Sequence, residues 1–129
     1  MDWKKFNDLK ILIVDDDLFT RELLKTILKK IPNLTVHQAI DGIEASLLVE
    51  KNEYDIFLID LYMPRMNGTE FITFLHKQNE HRSIVTVLIT TDRLSKKELK
   101  EIGVNYCLTK PFDFDNFLSD IYGFLEAKI

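Results

Sequence analysis

The stretch FLIDLYMPRMNG, residues 57–68, ends a run of large apolar residues in an aspartate, Asp60. Pro64 follows four residues later. A carboxylate at the tip of a buried strand has to be hydrated, paired or bound to a cation, because burying an isolated charge is very costly. The rest of the chain is therefore expected to bring partners to Asp60.

Short apolar runs alternate with segments of helical periodicity, and this alternation predicts the fold class. Runs one, three and four are apolar at nearly every position, as in strands covered on both faces of a parallel sheet. Repeated without a linker over 129 residues, the pattern predicts one α/β domain with a doubly wound, five-stranded parallel sheet of order 2-1-3-4-5 and five flanking helices. The runs are residues 11–14, 35–40, 56–59, 84–90 and 106–109.

Each intervening segment carries an apolar stripe at helical spacing. The first stripe runs from Phe19 to Ile31 and stops before Pro32, and the last runs from Phe114 to Leu125. The predicted start and stop signals are Asp17 as N-cap of the first helix, Asp41-Gly42 opening the second, Gly68 opening the third, and Ser95 and Gly103 bounding the fourth.

Composition narrows the class of protein. The net charge of -4, without a cluster of Lys and Arg, argues against a nucleic-acid partner. Cys107 is the single cysteine, which excludes an intrachain disulfide and suits a reducing compartment. His37, His76 and His81 lack metal-ligand spacing and are interpreted as surface or structural residues. With no signal peptide and no run near the roughly 18 apolar residues of a membrane span, we expect a cytoplasmic protein without membrane insertion.

Acidic residues follow two strands that this topology makes neighbours. Asp15 and Asp16 come after the first strand, and Asp60 ends the third. Ligands of such sheets bind at the carboxyl ends of the strands, and adjacent strands lie about 4.8 Å apart. Three carboxylates this close need a cation, and oxygen ligands without His or Cys select Mg²⁺.

A hydroxyl and an ammonium group arrive at the same edge from strands four and five. Thr90 and Lys110 are suited to binding the oxygens of a phosphoryl group. Together with a metal site, they predict phosphoryl transfer with Asp60 as the nucleophile. The acids at 15–17, taken alone, also fit a helix N-cap with charges that favour the helix dipole, and this alternative stays open for Asp17.

Five motifs, in this order and at these intervals, carry a family resemblance: ILIVDDD, DGIEA, DIFLIDLYMPRMNG, VLITT and CLTKPF. From about Leu9 to Leu125 the chain resembles the receiver domain of bacterial two-component response regulators. Its length is that of a stand-alone, chemotaxis-regulator-like member. The resemblance implies a flavodoxin-like fold and a single receiver domain over residues 1–129, without an output domain.

The resemblance also implies residue roles and partners. Asp60 would accept the phosphoryl group from a sensor histidine kinase or a phosphotransfer protein in a self-catalysed, Mg²⁺-dependent reaction, and would later lose it by autodephosphorylation. An unidentified downstream protein would bind through the face of the fourth and fifth helices. By this resemblance, Mg²⁺ would be bound directly by Asp16, Asp60 and the Tyr62 backbone carbonyl, and by Asp15 through a water. Thr90 and Lys110 would bind the phosphoryl oxygens. Lys110-Pro111 would be a cis peptide, which proline permits at low cost.

The sequence departs from the family pattern at two positions: Thr91 is branched where the family usually has a small residue after Thr90, and the second is a missing aromatic. Three residues before the lysine, where the family has a switch aromatic, it has Cys107, and Tyr106 precedes it. Strand side chains alternate between faces, so Tyr106 cannot replace the missing ring unless a bulge shifts the register. By the same resemblance, Tyr62 and Asp92 occupy places that tune phosphoryl lifetime.

Alternative functions stay open at this point. A pseudo-receiver, an interaction module regulated without phosphorylation, would keep the fold. An aspartyl-phosphate hydrolase is disfavoured because DLYMP lacks the second aspartate, two residues on, that would serve as acid and base. A flavin-binding module is disfavoured because three acids after the first strand would repel the anionic phosphate.

Overall fold

The computed structural model describes residues 1–78 and 83–128 of the chain, so His81 lies outside the described residues. A short 3-10 helix, Trp3–Lys5, precedes five strands and five helices. The strands are β1 (Lys10–Val14), β2 (Thr35–Ala39), β3 (Ile56–Asp60), β4 (Val85–Thr90) and β5 (Tyr106–Thr109). The helices are α1 (Leu18–Leu28), α2 (Gly42–Lys51), α3 (Gly68–Gln78), α4 (Lys96–Ile102) and α5 (Phe114–Lys128).

The strands form one parallel sheet in the order β2-β1-β3-β4-β5, which confirms the predicted topology. Strands β3 and β4 are buried at every position, and β1 is buried at all but its first residue. These strands are central and covered on both faces, which explains their unbroken apolar sequence. Because all five run in the same direction, their carboxyl ends meet at one edge of the sheet.

The sheet divides the core into two layers. On one face, buried side chains of α1 and α5, such as Leu24 and Ile121, pack with Ile13 and Leu58 of the central strands. On the other face, α2 and α3 cover the alternate strand residues, and α4 packs Leu99 against the same cluster. A fully buried side chain of this size contributes roughly 1.5–3 kcal/mol.

Two aromatic residues that the sequence predicts on core-facing stripes are exposed instead. Phe19 is 74% exposed and Phe114 is 52% exposed. Each lies in the first turn of its helix, beyond the carboxyl edge of the sheet, where no strand lies beneath it. The inward position in the first turns of α1 belongs to Arg21, which is buried with Leu24 and Leu28.

Helix α1 ends at Leu28, three residues before the predicted stripe does. Ile31 donates its backbone N–H to the Leu28 carbonyl at 3.0 Å, an i to i−3 bond that tightens the chain after the last turn. Pro32 explains the change, because the residue before a proline is disfavoured in the α region. Ile31 still reaches the core, where 3% of its surface is exposed.

The N-terminal segment packs against the last helix. Tyr122 of α5 forms edge-to-face contacts with Trp3 at 5.0 Å and with Phe6 at 5.6 Å between ring centroids. Lys5 pairs with Glu126 at 2.5 Å, and its ammonium lies 5.0 Å from the Tyr122 ring. The N-terminal residues of this cluster come directly before β1, so the cluster lies at the end of the fold opposite the carboxyl edge.

Helix α4 has a defined start and stop. Ser95 and Glu98 form a reciprocal capping box, and Gly103 ends the helix in the left-handed conformation at φ 92°, as predicted. The Gly103 carbonyl accepts a hydrogen bond from His76 of α3 at 2.6 Å. His37 contacts the Tyr54 hydroxyl at 2.7 Å, so both described histidines have structural partners.

Replacing either of two glycines by alanine should change the free energy of unfolding, but in opposite directions. Gly103→Ala is expected to lower the free energy of unfolding by about 1–2 kcal/mol, because it forces a side chain into the left-handed region. The added Cβ would also lie 3.0 Å from the His76 ring. Gly123→Ala, inside α5 where an added Cβ meets open space, is expected to raise it by about 0.5–1 kcal/mol. Urea unfolding monitored by circular dichroism measures the free energy of unfolding of both variants. A Gly103→Ala protein more stable than wild type would contradict a strained left-handed conformation at residue 103.

Candidate phosphoacceptor site

Three carboxylates meet at the carboxyl edge, where β1 and β3 are paired neighbours. Carboxylate oxygens of Asp15, Asp16 and Asp60 all lie within 4.8 Å of one another. Asp15 is 2% exposed and Asp60 is 8% exposed, while Asp16 faces solvent. The spacing and the all-oxygen donor set fit a hard divalent cation, because such a cation would neutralise charges that otherwise repel at close range.

Lys110 brings the positive charge to this cluster. Its Nζ lies 3.4 Å from an Asp15 oxygen and 3.7 Å from an Asp60 oxygen. The backbone N–H of Lys110 donates to the Thr90 carbonyl at 2.8 Å, and the Lys110-Pro111 peptide is cis. The structure therefore gathers Asp15, Asp16, Asp60 and Lys110 into one pocket.

The pocket perturbs its carboxyl groups. Burial, followed by the charge of Asp15, raises the pKa of Asp60 to about 6, against the opposing effects of Lys110 and a hydrogen bond from the Tyr62 amide. Burial also raises the pKa of Asp15, and the Asp17 backbone amide and Lys110 oppose it. Both shifts have the same physical origin: the loss of water around each carboxylate raises its pKa by more than the charge of Lys110 lowers it.

Thr90 belongs to a chain of hydrogen bonds at the mouth of the pocket. It ends β4, one residue beyond the pairing partner of Asp60, and it is 1% exposed. Its hydroxyl oxygen accepts the Asp92 backbone N–H at 3.2 Å, and the Asp92 carboxylate accepts the Tyr62 hydroxyl at 2.6 Å. The loops after β3 and β4 are thus joined by side chains two residues beyond Asp60 and Thr90.

The loop between β3 and α3 is held close to the Asp60 backbone. Gly68 lies so close to the Asp60 carbonyl that a Cβ there would overlap it. The Gly68 N–H donates to the Leu61 carbonyl at 3.1 Å, and Asn67 and Glu70 exchange hydrogen bonds that start α3. Asn67-Gly68 is therefore the entry to a helix, as the periodicity predicts.

Two arginines near the site were not identified from the sequence. Arg21 of α1 donates to the Asp15 backbone carbonyl at 2.8 Å and to the Gln38 side chain at 3.2 Å. Arg65 pairs at 2.5 Å with Asp41, which follows the edge strand β2. The sequence signal for Arg21 was its inward place in the α1 stripe, whereas no local pattern pointed to the partner of Arg65.

Asp17 proves to be the N-cap of α1, because its carboxylate accepts the Thr20 N–H at 3.2 Å. That carboxylate also accepts a hydrogen bond from the Thr20 hydroxyl. This hydrogen bond makes the largest contribution to lowering the pKa of Asp17. The open alternative for the acidic run is therefore correct for Asp17. Asp15 and Asp16 belong, with Asp60, to the acidic triad that could hold a metal ion.

Strand β5 keeps a regular register through Cys107, which pairs with Leu88 as Tyr106 pairs with Val87. The two side chains pack on opposite faces. Tyr106 stacks on Phe124 at 4.0 Å, and the half-buried Cys107 contacts the α3 and α4 side of the core. Beside Cys107 lies a groove of about 950 Å³ between α4 and β5. The ring of Tyr106 therefore does not take the place of the missing aromatic.

Comparison with known proteins agrees with this architecture. Residues 11–122 match the profile of the response regulator receiver domain. The chain belongs to the response regulator receiver domain family. The chemotaxis protein CheY-3 of Vibrio cholerae is 29% identical over 107 residues, which are 81% of this chain and 82% of that protein. The structure of Vibrio cholerae CheY4 superposes with a TM-score of 0.81 at 29% identity, over 89% of this chain and 97% of that one.

Other receiver-domain relatives are longer than this chain. Stress response regulator protein 1 of Lodderomyces elongisporus is 33% identical over 87% of this chain, which spans 32% of that protein. The transcriptional regulatory protein MalR of Bacillus subtilis is 32% identical over 84% of this chain, which spans 47% of that protein. The chain thus spans about a third to a half of the length of these two curated relatives. None of the helices in the described ranges is long and apolar enough to cross a membrane.

The raised pKa of Asp60 predicts how this receiver domain responds to pH in metal-free buffer. The folded state keeps the Asp60 proton up to about pH 6, whereas the unfolded chain releases it near the ordinary value of 3.8. Between these pH values the folded state binds more protons than the unfolded chain, so the free energy of unfolding falls as pH rises. Above about pH 6 the whole loss of stability due to Asp60 is present. Asp60→Asn is therefore expected to raise the free energy of unfolding at pH 7.5 by about 1–3 kcal/mol.

Urea unfolding from pH 4 to 8 in the presence of a chelator measures this effect. The advantage of Asp60→Asn should shrink towards pH 4. Glu22→Gln removes the same charge from the exposed surface of α1 and should leave the wild-type pH slope in place. An Asp60→Asn protein no more stable than wild type at pH 7.5 would contradict the prediction.

Proposed function

We propose that this receiver domain is a phosphoacceptor response regulator of two-component signal transduction. It is phosphorylated on Asp60 in a Mg²⁺-dependent transfer from a sensor histidine kinase or a phosphotransfer protein, and it signals by protein–protein interaction. The observation that supports this most strongly is the meeting of Asp60 with two further carboxylates and the Lys110 ammonium at one strand edge. It is a signalling protein that catalyses its own modification and autodephosphorylation.

The proposed reaction needs a nucleophile and a means of neutralising charge. An Asp60 carboxylate oxygen attacks the phosphorus of a phosphohistidine; the O–P bond forms as the N–P bond breaks, and the imidazole leaves with the bonding electron pair. Asp60 acts in its ionised form. Asp16, Asp60 and the Tyr62 carbonyl would hold Mg²⁺, with Asp15 acting through a water. When bound, the ion supplies positive charge that offsets the carboxylates and the phosphoryl oxygens.

The remaining pocket residues have distinct proposed roles. Lys110 donates hydrogen bonds to a phosphoryl oxygen from a position already within 3.7 Å of Asp60. The Thr90 hydroxyl donates to a second phosphoryl oxygen, and its oxygen can accept the Asp92 N–H at the same time. A shift of this shared hydroxyl offers a route from the pocket to the loop before α4.

Exposed apolar side chains around the pocket support docking of a protein phosphodonor. Leu18 and Phe19 follow Asp17, Tyr62 follows Asp60, and Phe114 follows Lys110-Pro111; their exposed fractions are 61%, 74%, 63% and 52%. All four lie just beyond strand ends at the carboxyl edge. A donor that covers these residues would bury apolar surface while it presents its phosphohistidine to Asp60.

The α4–β5 groove is the proposed site for the downstream partner. Its lining combines apolar side chains such as Leu94 and Phe124 with the basic residues Arg93, Lys96 and Lys100. A shift of Thr90 would be transmitted to this groove by the short loop that connects β4 to α4. The proposal keeps the cytoplasmic location expected from the sequence, with neither a nucleic-acid partner nor membrane insertion.

A pseudo-receiver is the second candidate, and the pocket favours it less. An interaction module regulated without phosphorylation has no need of a buried Asp60 whose pKa is raised beside two more acids. Keeping such a group costs stability, which points to chemistry that uses it.

Phosphorylation should depend on Asp60 and on Mg²⁺. Wild-type protein incubated with Mg²⁺ and acetyl phosphate is expected to gain the mass of one phosphoryl group, and a chelator should prevent the gain. Asp60→Asn should lose the modification, whereas Glu22→Gln should keep the wild-type rate. Intact-mass spectrometry provides the measurement. A phosphoryl adduct that forms on Asp60→Asn at the wild-type rate would reject the proposed site.

Restoring an aromatic ring at position 107 should strengthen the coupling to partners. The Cys107 side chain is smaller than the aromatic ring that the family has at this position, so the loop after β4 is expected to reach its activated position easily before phosphorylation. Cys107→Tyr should therefore raise the ratio of partner affinities between phosphorylated and unmodified protein. Cys107→Ala is the control for loss of the thiol. An unaltered ratio in a folded Cys107→Tyr protein would show that Cys107 is only an inert apolar residue.

A further inference from the structure

The loop that follows Asp60 contains a strained turn. Pro64 is followed by Arg65 at φ 64°, which is the pattern of a type II turn in which glycine normally occupies the second central position. A side chain in that conformation is strained and persists only where its surroundings hold it there. Arginine at this position therefore calls for a compensating contact.

Asp41 provides the contact from the other side of the loop. It is 1% exposed and caps α2 by accepting the Glu44 N–H at 2.9 Å with one carboxylate oxygen. The other oxygen accepts a hydrogen bond from Arg65 Nε and pairs with Nη2, both at 2.5 Å. This charge-assisted contact holds the guanidinium group against Asp41. A buried carboxylate is thus committed to a residue of the phosphoacceptor loop.

The backbone ties the same two segments together. The Gly42 N–H donates to the Met66 carbonyl at 3.0 Å, and a Cβ on Gly42 would lie 2.6–2.8 Å from Met66 atoms. On the other side of the turn, the Tyr62 amide binds the Asp60 carboxylate. The loop is therefore attached to α2 at residues 65–66 and to the acidic pocket at residue 62.

We propose that Arg65 and Asp41 are positioning residues which hold the Tyr62 carbonyl where it can bind Mg²⁺. Only Met63 and Pro64 separate Tyr62 from Arg65 along the chain, and the proline ring stiffens the turn between them. Releasing the ion pair lets the loop relax away from its strained turn and moves the carbonyl. The inference rests on the proposed function of the Asp60 site.

Two charge-removing variants separate positioning from long-range electrostatics. Arg65→Gln removes a positive charge and Asp41→Asn removes a negative one, while asparagine keeps the N-cap. If the pair acted only through its charges, the first variant would bind Mg²⁺ more tightly and the second more weakly. If it positions the loop, both should weaken Mg²⁺ binding, by about tenfold, as residues that support metal ligands do.

Calorimetric titration of the unmodified protein with Mg²⁺ alone is the direct test. The double variant should match either single variant, because both remove one interaction. Arg65→Gly, which fits the turn without the ion pair, provides a second variant if Arg65→Gln folds poorly, and it too should bind Mg²⁺ more weakly. In acetyl phosphate reactions, the half-saturating Mg²⁺ concentration should rise about tenfold while the rate at saturating Mg²⁺ stays within twofold of wild type.

Opposite shifts in the two single variants, or unchanged Mg²⁺ affinity in both, would overturn the inference. Either result is compatible with normal phosphorylation of the wild-type protein on Asp60, so the proposed function would survive it. Conversely, a wild-type protein that binds Mg²⁺ but is never modified would defeat the proposed function, and the titration would still test the role of Arg65 and Asp41.

Discussion

The repulsion among three carboxylates at one strand edge is the constraint on which the rest of the site depends. Asp15 and Asp60 are buried, and Lys110 offers them one positive charge at 3.4 and 3.7 Å. That charge does not restore the ordinary pKa of either acid. The protein's own groups therefore leave the pocket short of positive charge, and this deficit makes it receptive to a divalent cation and intolerant of further acids.

The surrounding structure holds this unfavourable arrangement in place. Buried strands on both sides of the pocket fix the strand ends, and Arg21 binds the Asp15 backbone from α1. Gly68 allows α3 to begin against the Asp60 carbonyl, and the ion pair with Asp41 holds Arg65 in the turn. The stability that the pocket gives up is supplied by packing that reaches well beyond it.

Much of this architecture could be predicted from the sequence, because strand periodicity is a short-range signal. The unbroken apolar runs identified the central strands, and parallel order then brought Asp15, Asp16 and Asp60 together. Phe19 and Phe114 were placed wrongly because helical periodicity shows which side of a helix is apolar but not where the sheet beneath it ends. The contact between Arg65 and Asp41 was missed for a related reason: it joins loops from different strands, and no local pattern encodes that distance.

The position of Trp3 has a practical consequence for spectroscopy. It is the only tryptophan in the chain, and it packs against Tyr122 at the end of the fold opposite the acidic pocket. Its fluorescence therefore reports the attachment of the N-terminal segment to α5, and it should be insensitive to ions that bind among the carboxylates. A change in tryptophan emission upon phosphorylation would mean that the signal had crossed the whole length of the sheet.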